Sequence, residues 1–262
     1  MRAAYSFDND APDAALRHEL LAEILDHVTF DRLGAAGDLR GRRCLEAGAG
    51  GGSVARRLVA LSGPGGRVLA TDLNPRHLPH DQGYEVSRHD LTGDPVPDPP
   101  WDLIHARLVL AHIPERERIL ARLADALAPG GVLLIEEWLS AYPDVVLDAP
   151  DAAAAELVER YHRTVVERLL PANGADPAWA ARVHAAMIDA GLTGVRTTIH
   201  AESWAGGTAG ARLIAVNVAQ VGDGLRDAGF TDAELDRLTA LAADPRLVVR
   251  GHLTYSTTGR RG

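Results

Sequence analysis

Residues 43–52 read RCLEAGAGGG, and the order of residue types across these ten positions decides the fold. An apolar stretch broken only by Glu46 runs into Gly48, Ala49, Gly50, Gly51 and Gly52, and the residues that follow, 53–61, look helical. Residues without a Cβ let a backbone turn tightly and lie close to a ligand. The first N–H groups of a helix have no partner inside it and face whatever lies beyond its start. The stretch therefore reads as strand, glycine-rich turn and helix. The turn alone does not name its ligand, because Gly50–Ala55 also satisfies the GxGxxA form of the dinucleotide fingerprint.

Outward from this unit, apolar runs alternate with helical patterns. Strands are expected at 67–72, 84–89, 102–106 and 131–136. A helix is expected at 115–127, with Ile119, Leu123 and Leu127 on one face, Pro114 and Glu115 suited to its first turn, and APGG (128–131) ending it. Alternating β and α units of this length imply a doubly wound, mostly parallel α/β sheet. Upstream, Leu16, Leu20, Leu21, Ile24 and Leu25 mark a helix over 14–27.

Downstream, 139–170 breaks the pattern, and its Ala/Glu/Arg-rich helix at 151–170 suits a cap over the C-terminal edge of the sheet. Helices at 178–190, 208–221 and 232–242 and strands at 195–203 and 247–256 complete the chain. The expectation is one domain, 1–262. It comprises an N-terminal helical lid (1–40), a ligand-binding core (41–138), a helical cap (139–175) and C-terminal helices and strands (176–262).

Composition narrows the function classes. The chain has 262 residues, 46% hydrophobic and 24% charged, which is ordinary globular usage. Its net charge of −9 argues against nucleic acid as a partner. All 27 basic residues are arginine, so catalytic lysine and Schiff-base chemistry are excluded. Cys44 stands alone, which rules out an intrachain disulfide and fits a reducing compartment. No apolar run is long enough to span a membrane and the first residues are acidic and polar, so a cytoplasmic location and no membrane partner are expected.

Asp72 closes the second strand 20 residues after Gly52, where a carboxylate can accept two hydrogen bonds from a ribose diol or simply cap a following helix. Glu46 would oppose a pyrophosphate electrostatically but suits a ligand ammonium. Asp90, in RHDL (88–91), can accept from an adenine amino group or be a surface-turn aspartate.

Taken together, LEAGAGGG (45–52), ATDLNP (70–75), RHDL (88–91), WDLIHARLVLAHIPERE (101–117) and PGGVLLIEEW (129–138) resemble class I methyltransferases that use S-adenosylmethionine (SAM). With YSFDND (5–10), the chain is similar to small-molecule methyltransferases of actinomycete secondary metabolism. The resemblance implies a Rossmann-like seven-stranded sheet whose last strand is antiparallel, and SAM as cofactor. It places Glu46, Gly48, Ala49 and Gly50 along the methionine portion and Asp72 and Leu73 at ribose and adenine. Asp90 and Leu91 would hold adenine, with Ala106 and Arg107 beside the methionine end. The 43 residues between the last two expected strands (204–246) exceed the family's usual connection.

A sulfonium makes its own methyl group electrophilic, so the protein must chiefly align a nucleophile and exclude water. A hydroxyl or ammonium acceptor also needs a base. His112 is the candidate base and Arg107 the candidate anchor for a carboxylate; their alternatives are a helix cap and an ion pair with Glu115 or Asp102. Glu137 and Trp138 are candidates for a cationic or aromatic acceptor, Tyr161 for the acceptor pocket, and Tyr5 and Phe7 for a lid. His105, inside strand four, reads as a satisfied core histidine. No HxH, HExxH or CxxC occurs, so transfer without a metal is expected.

The reading is methyl transfer to an oxygen or nitrogen of a small-molecule natural product or modified peptide, with monomer and homodimer both open. The alternatives are an NAD(P)-dependent oxidoreductase, or a SAM-binding enzyme that catalyses cyclisation or decarboxylation without methyl transfer.

Overall fold

A computed structural model describes residues 10–262. Tyr5 and Phe7 lie outside the described residues. In chain order the elements are α1 (Ala14–Ala35), β1 (Arg43–Ala47), α2 (Ser53–Ser62), β2 (Arg67–Asp72), β3 (Glu85–Arg88), β4 (Trp101–Arg107), α3 (Arg116–Asp125) and β5 (Leu127–Leu139). There follow β6 (Val146–Asp148), α4 (Ala152–Thr164), α5 (Leu170–Ala172), α6 (Val183–Asp189), β7 (Thr193–His200) and β8 (Ser203–Ala205). The last are α7 (Ala209–Asp227), α8 (Asp232–Leu241), β9 (Val248–Arg250) and β10 (Leu253–Arg260).

The chain divides into two compact units. One comprises 26–138, 178–200 and 254–262, and the other, among the described residues, 10–25, 139–177 and 201–253.

The first unit contains a seven-stranded sheet in the order β3-β2-β1-β4-β5-β10-β7. Strands β1 to β5 pair in parallel, and β10 runs antiparallel to β7. The order explains where a ligand can sit. From β1 the chain builds outward through β2 to β3, then crosses back to lay β4 on the other side of β1. The carboxyl ends of β1 and β4 therefore flank a topological switch point, the place where open α/β sheets bind ligands.

Because both faces of a parallel sheet are covered, β1, β2, β4 and β5 are nearly continuously buried, while the edge strand β3 is not. Alternation sorts them onto two cores. Leu45, Ile104, Ala106, Leu133 and Ile135 pack with Ile119, Leu120 and Leu123 of α3 and Met187 of α6. Cys44, Leu103, Val132 and Leu134 pack with Val54, Ala55 and Leu58 of α2 and Leu33 of α1. Burial pushes the Cys44 thiol up to about 12, so it behaves as a packing group.

In the second unit β6, β9 and β8 form a small antiparallel sheet beside α4, α7 and α8. Two sequence expectations change here. The strand expected at 247–256 is two strands, β9 in the small sheet and β10 in the large one, divided at Gly251–His252. The strand expected at 195–203 likewise ends at His200, and Ser203 begins β8. Alternating apolar residues announce a strand but not the sheet it joins. Among the described residues no helix is long and apolar enough to cross a membrane.

Candidate active site

The glycine-rich turn leaves β1 at the switch point. Gly48, Gly50 and Gly52 all have positive φ, at 75°, 52° and 77°. Gly48 is also sterically required, because a Cβ there would stand 2.3 Å from Cγ2 of Val109, in the turn after β4. The Gly48 and Ala49 N–H groups donate to the Thr71 carbonyl at the end of β2 (2.8 and 2.9 Å). Gly50 N–H donates to Asp72 Oδ2 (3.0 Å), and Asn74 N–H to Asp72 Oδ1 (2.9 Å). Asp72 thus ties the turn to β2, and it does not cap a helix: the short helical turn at Pro75–His77 has Asn74 at its cap position. Burial raises the Asp72 carboxyl above its ordinary value against the pull of these hydrogen bonds, so the group favours further donors. Beside it Leu73 is 52% exposed, an apolar side chain left open.

Asp90 lies two residues beyond β3, where Oδ1 accepts from Thr92 N–H (2.9 Å) and the Thr92 hydroxyl (2.6 Å). Leu91 is buried in the core next to it. Ala106 is fully buried and packs in the sheet core.

The ends of β1, β4 and β5 carry an unusual row of charge. In register, Glu46 pairs with His105 and Arg107 with Glu136, which sets all four on one sheet face. His105 is completely enclosed. Its Nδ1 lies 2.7 Å from Glu46 Oε2 and its Nε2 3.2 Å from Glu136 Oε2. Thr29 of α1 and Ser256 of β10 donate to the two oxygens of Glu136, each at 2.5 Å. Burial opposes charge on His105, but the adjoining carboxylates overcome it and hold its pKa at about 9. Burial likewise opposes the Glu136 charge, and bonds from His105, Ser256 and Thr29 keep that carboxyl below its ordinary value.

Arg107 is drawn to neither partner its sequence suggested. Its Nη1 lies 3.0 Å from Asp26 Oδ1 and donates to the Thr29 hydroxyl at 2.8 Å, while Nη2 reaches the Ser53 hydroxyl at 3.4 Å. The guanidinium braces β4 against α1 and α2.

Glu137 points to the opposite face from Glu136 and is also fully buried. Sequence directed it at an acceptor; the structure directs it at backbone. Its Oε1 accepts from the N–H groups of Val109 (3.3 Å), Leu110 (2.7 Å) and Ala111 (3.2 Å), closing the short helical turn Leu110–His112. Leu108, just before that turn, has φ 56°, a strained conformation for a leucine. Burial pushes the Glu137 carboxyl up to about 7 despite the three N–H groups, and Oε2 is buried with no hydrogen-bond partner.

A carboxyl raised this way in the folded state binds its proton more tightly there than in the unfolded chain, so stability falls as pH rises from about 4.5 through 7. Glu137→Gln keeps the acceptor and removes the charge. Denaturant titrations from pH 5 to 8.5 should show a flatter pH slope, by about 2–3 kcal/mol across the range. An unchanged slope would mean that Glu137 is not the group titrating.

His112 is half-buried in the turn that Glu137 closes, and α3 begins only at Arg116 with Glu115 at its cap position. Its capping alternative is therefore not realised. The Trp138 indole N–H donates to the Thr254 hydroxyl of β10 (3.0 Å), tying it to the sheet. Tyr161 of α4 is buried within the second unit near Arg17 and Asn217, and burial raises its hydroxyl pKa.

The sheet order, the switch-point turn and the acids ending β2 and following β3 define the class I methyltransferase architecture. The family model described as a methyltransferase domain matches residues 16–177, and the chain belongs to that family of SAM-dependent enzymes. Methyltransferase str2 of Strobilurus tenacellus is 40% identical over 106 residues, 38% of this chain and 38% of that protein. A ubiquinone/menaquinone biosynthesis C-methyltransferase of Hahella chejuensis is 25% identical over 159 residues, 55% of this chain and 63% of that one. The chain thus matches less than two thirds of the length of these curated relatives. Among solved structures, a Bacillus halodurans protein superposes with TM-score 0.55 at 16% identity, covering 89% of this chain and 99% of that chain. Haemonchus contortus phosphoethanolamine N-methyltransferase 2, with S-adenosyl-L-methionine, gives TM-score 0.52 at 16% identity, covering 93% and 52%. These likenesses are of fold. The Strobilurus relative is fungal, so the kinship is not confined to actinomycetes.

Proposed function

We propose that the chain binds SAM over the 48–52 turn and transfers its methyl group to an oxygen or nitrogen of a small-molecule natural product or modified peptide. The observation that carries the reading is the turn itself, a strictly glycine-dependent loop at the β1/β4 switch point with a buried acid beside it. The residues fit the cofactor. Asp72 favours the donors a ribose diol brings, the exposed Leu73 offers an apolar face to a purine, and Asp90 offers an acceptor to its amino group. Glu46 suits the methionine ammonium and would repel the pyrophosphate of NAD.

When bound, SAM supplies an electrophilic methyl carbon. The protein's part is to hold an acceptor in line and to accept its proton. His112, in the turn after β4 at the carboxyl end of the sheet, is the candidate base, since an imidazole is matched to proton transfer near neutral pH. His112→Ala should lower turnover at least tenfold with SAM affinity little changed. An unchanged turnover would return His112 to a structural role. A small-molecule acceptor is supported by the chain's net charge of −9, which disfavours nucleic acid, and acceptor class is tested by incubating the protein with methyl-labelled SAM and panels of phenols, amines, carboxylic acids and peptides. Label recovered only in carbon-methylated products would overturn the oxygen or nitrogen assignment. Saturable binding of NAD without binding of SAM would overturn the cofactor.

A further inference from the structure

The enclosed His105 takes no part in the proton transfer assigned to His112. We infer that His105 is a positioning residue: its ring, bridged between Glu46 and Glu136, holds the Glu46 carboxylate below the glycine-rich turn so that it receives the methionine ammonium of SAM. The inference rests on the cofactor reading just given.

Geometry argues for it first. Each ring nitrogen lies within hydrogen-bond distance of a carboxylate oxygen. An ionised carboxylate only accepts, and a neutral imidazole has a single N–H, so both bonds require the ring to donate from both nitrogens. Glu136 is fixed as the acceptor by its surroundings. The Thr29 hydroxyl accepts from Arg107, so its one hydrogen goes to Glu136 Oε2, and Ser256 donates to Oε1. A ring locked from Glu136 has one orientation left, with Nδ1 aimed at Glu46 Oε2.

The charges around the ring point the same way. Glu46 comes from β1, Glu136 from β5, Arg107 from β4 itself and Asp26 from α1, with Thr29, Ser53 and Ser256 as the neutral partners. With the imidazolium present the cluster carries one negative charge in excess, which a ligand ammonium would balance. Losing the imidazolium proton would leave one of the two carboxylates without its donor and double that excess. In these parallel central strands an uncompensated charge is costly, so the cluster is held only as a complete set.

The test compares S-adenosylhomocysteine with its deaminated analogue, in which hydrogen replaces the amino group, by calorimetric titration. Wild-type protein should prefer the amine-bearing ligand at least tenfold. His105→Gln and His105→Phe should lose that preference while binding the deaminated analogue nearly as wild type does; general structural damage would weaken both ligands alike. Undiminished preference in both variants would overturn the inference. Asp72→Ala separates the two claims, since it should weaken both ligands whatever His105 does, and failure to do so would strike the cofactor site itself. For the unmutated protein, ¹⁵N-histidine spectra should show His105 protonated on both nitrogens at pH 7.5, and in Glu136→Gln its proton should leave at lower pH. A neutral, single-tautomer ring in wild type would also overturn it.

Discussion

Glu136→Ala is expected to destabilise the protein by about 3–5 kcal/mol, the usual cost of removing one partner from a buried charged set. The substitution strands three groups at once. The His105 imidazolium loses one of its two carboxylates, and the Thr29 and Ser256 hydroxyls lose their acceptor in a site without water access from the sheet core. A pH signature separates this from simple cavity formation. A histidine raised to about 9 in the folded state contributes stability that is complete below its unfolded value near 6.5 and is lost as pH rises through 9. Wild-type protein should therefore weaken between pH 7 and 10, and Glu136→Ala should show a shallower decline. Chemical denaturation across that range measures both quantities. A loss under 1 kcal/mol with an unaltered pH slope would show that the three bonds contribute little.

The second large effect is at Gly48. An alanine there has φ 75°, which costs about 1 kcal/mol, and its Cβ would meet Val109 Cγ2 at 2.3 Å. Val109 cannot retreat freely, because its N–H is one of those held by Glu137 and Leu108 before it is already in a left-handed conformation. The turn must then shift, moving its backbone away from the ligand. Gly48→Ala should weaken S-adenosylhomocysteine binding at least thirtyfold. Gly191→Ala is the control: its φ is 79° but nothing lies within 4 Å of the added carbon, so it bears the conformational cost alone and should leave ligand affinity as it was. Equal affinity in the two variants would mean that the Gly48–Val109 approach does not shape the site.

The core of the fold was legible because β1, β2, β4 and β5 are near-continuous buried runs. β2 matches its expected bounds, 67–72, to the residue, and β1 occupies the run that leads into Gly48. The C-terminal third was harder for a physical reason. At 195–203 and 247–256 the alternation continues across a change of sheet, and a short break such as Gly251–His252 is invisible to a period-two pattern. The glycine turn and its neighbouring acids were also legible, since local geometry demands those residue types.

The charged row was not, because Glu46, His105 and Glu136 meet only through the register of three strands distant in sequence. One signal pointed to it. Each sits in a central parallel strand, where a charge without a partner is not tolerated, so three such residues must find one another. Glu136 and Glu137 show the same lesson from the other side. Alternation sends them to opposite faces, but only the structure reveals that both are consumed internally, one by a histidine and two hydroxyls and the other by three backbone N–H groups.

The central claim, that the 48–52 turn with Asp72 is a SAM site, is tested most directly by calorimetric titration of S-adenosylhomocysteine into wild-type protein and Asp72→Ala in parallel. Saturable binding at one site per chain, weakened at least tenfold in the variant with the fold intact, is the result expected. No saturable binding to the wild type, or equal affinity in the two proteins, would contradict it.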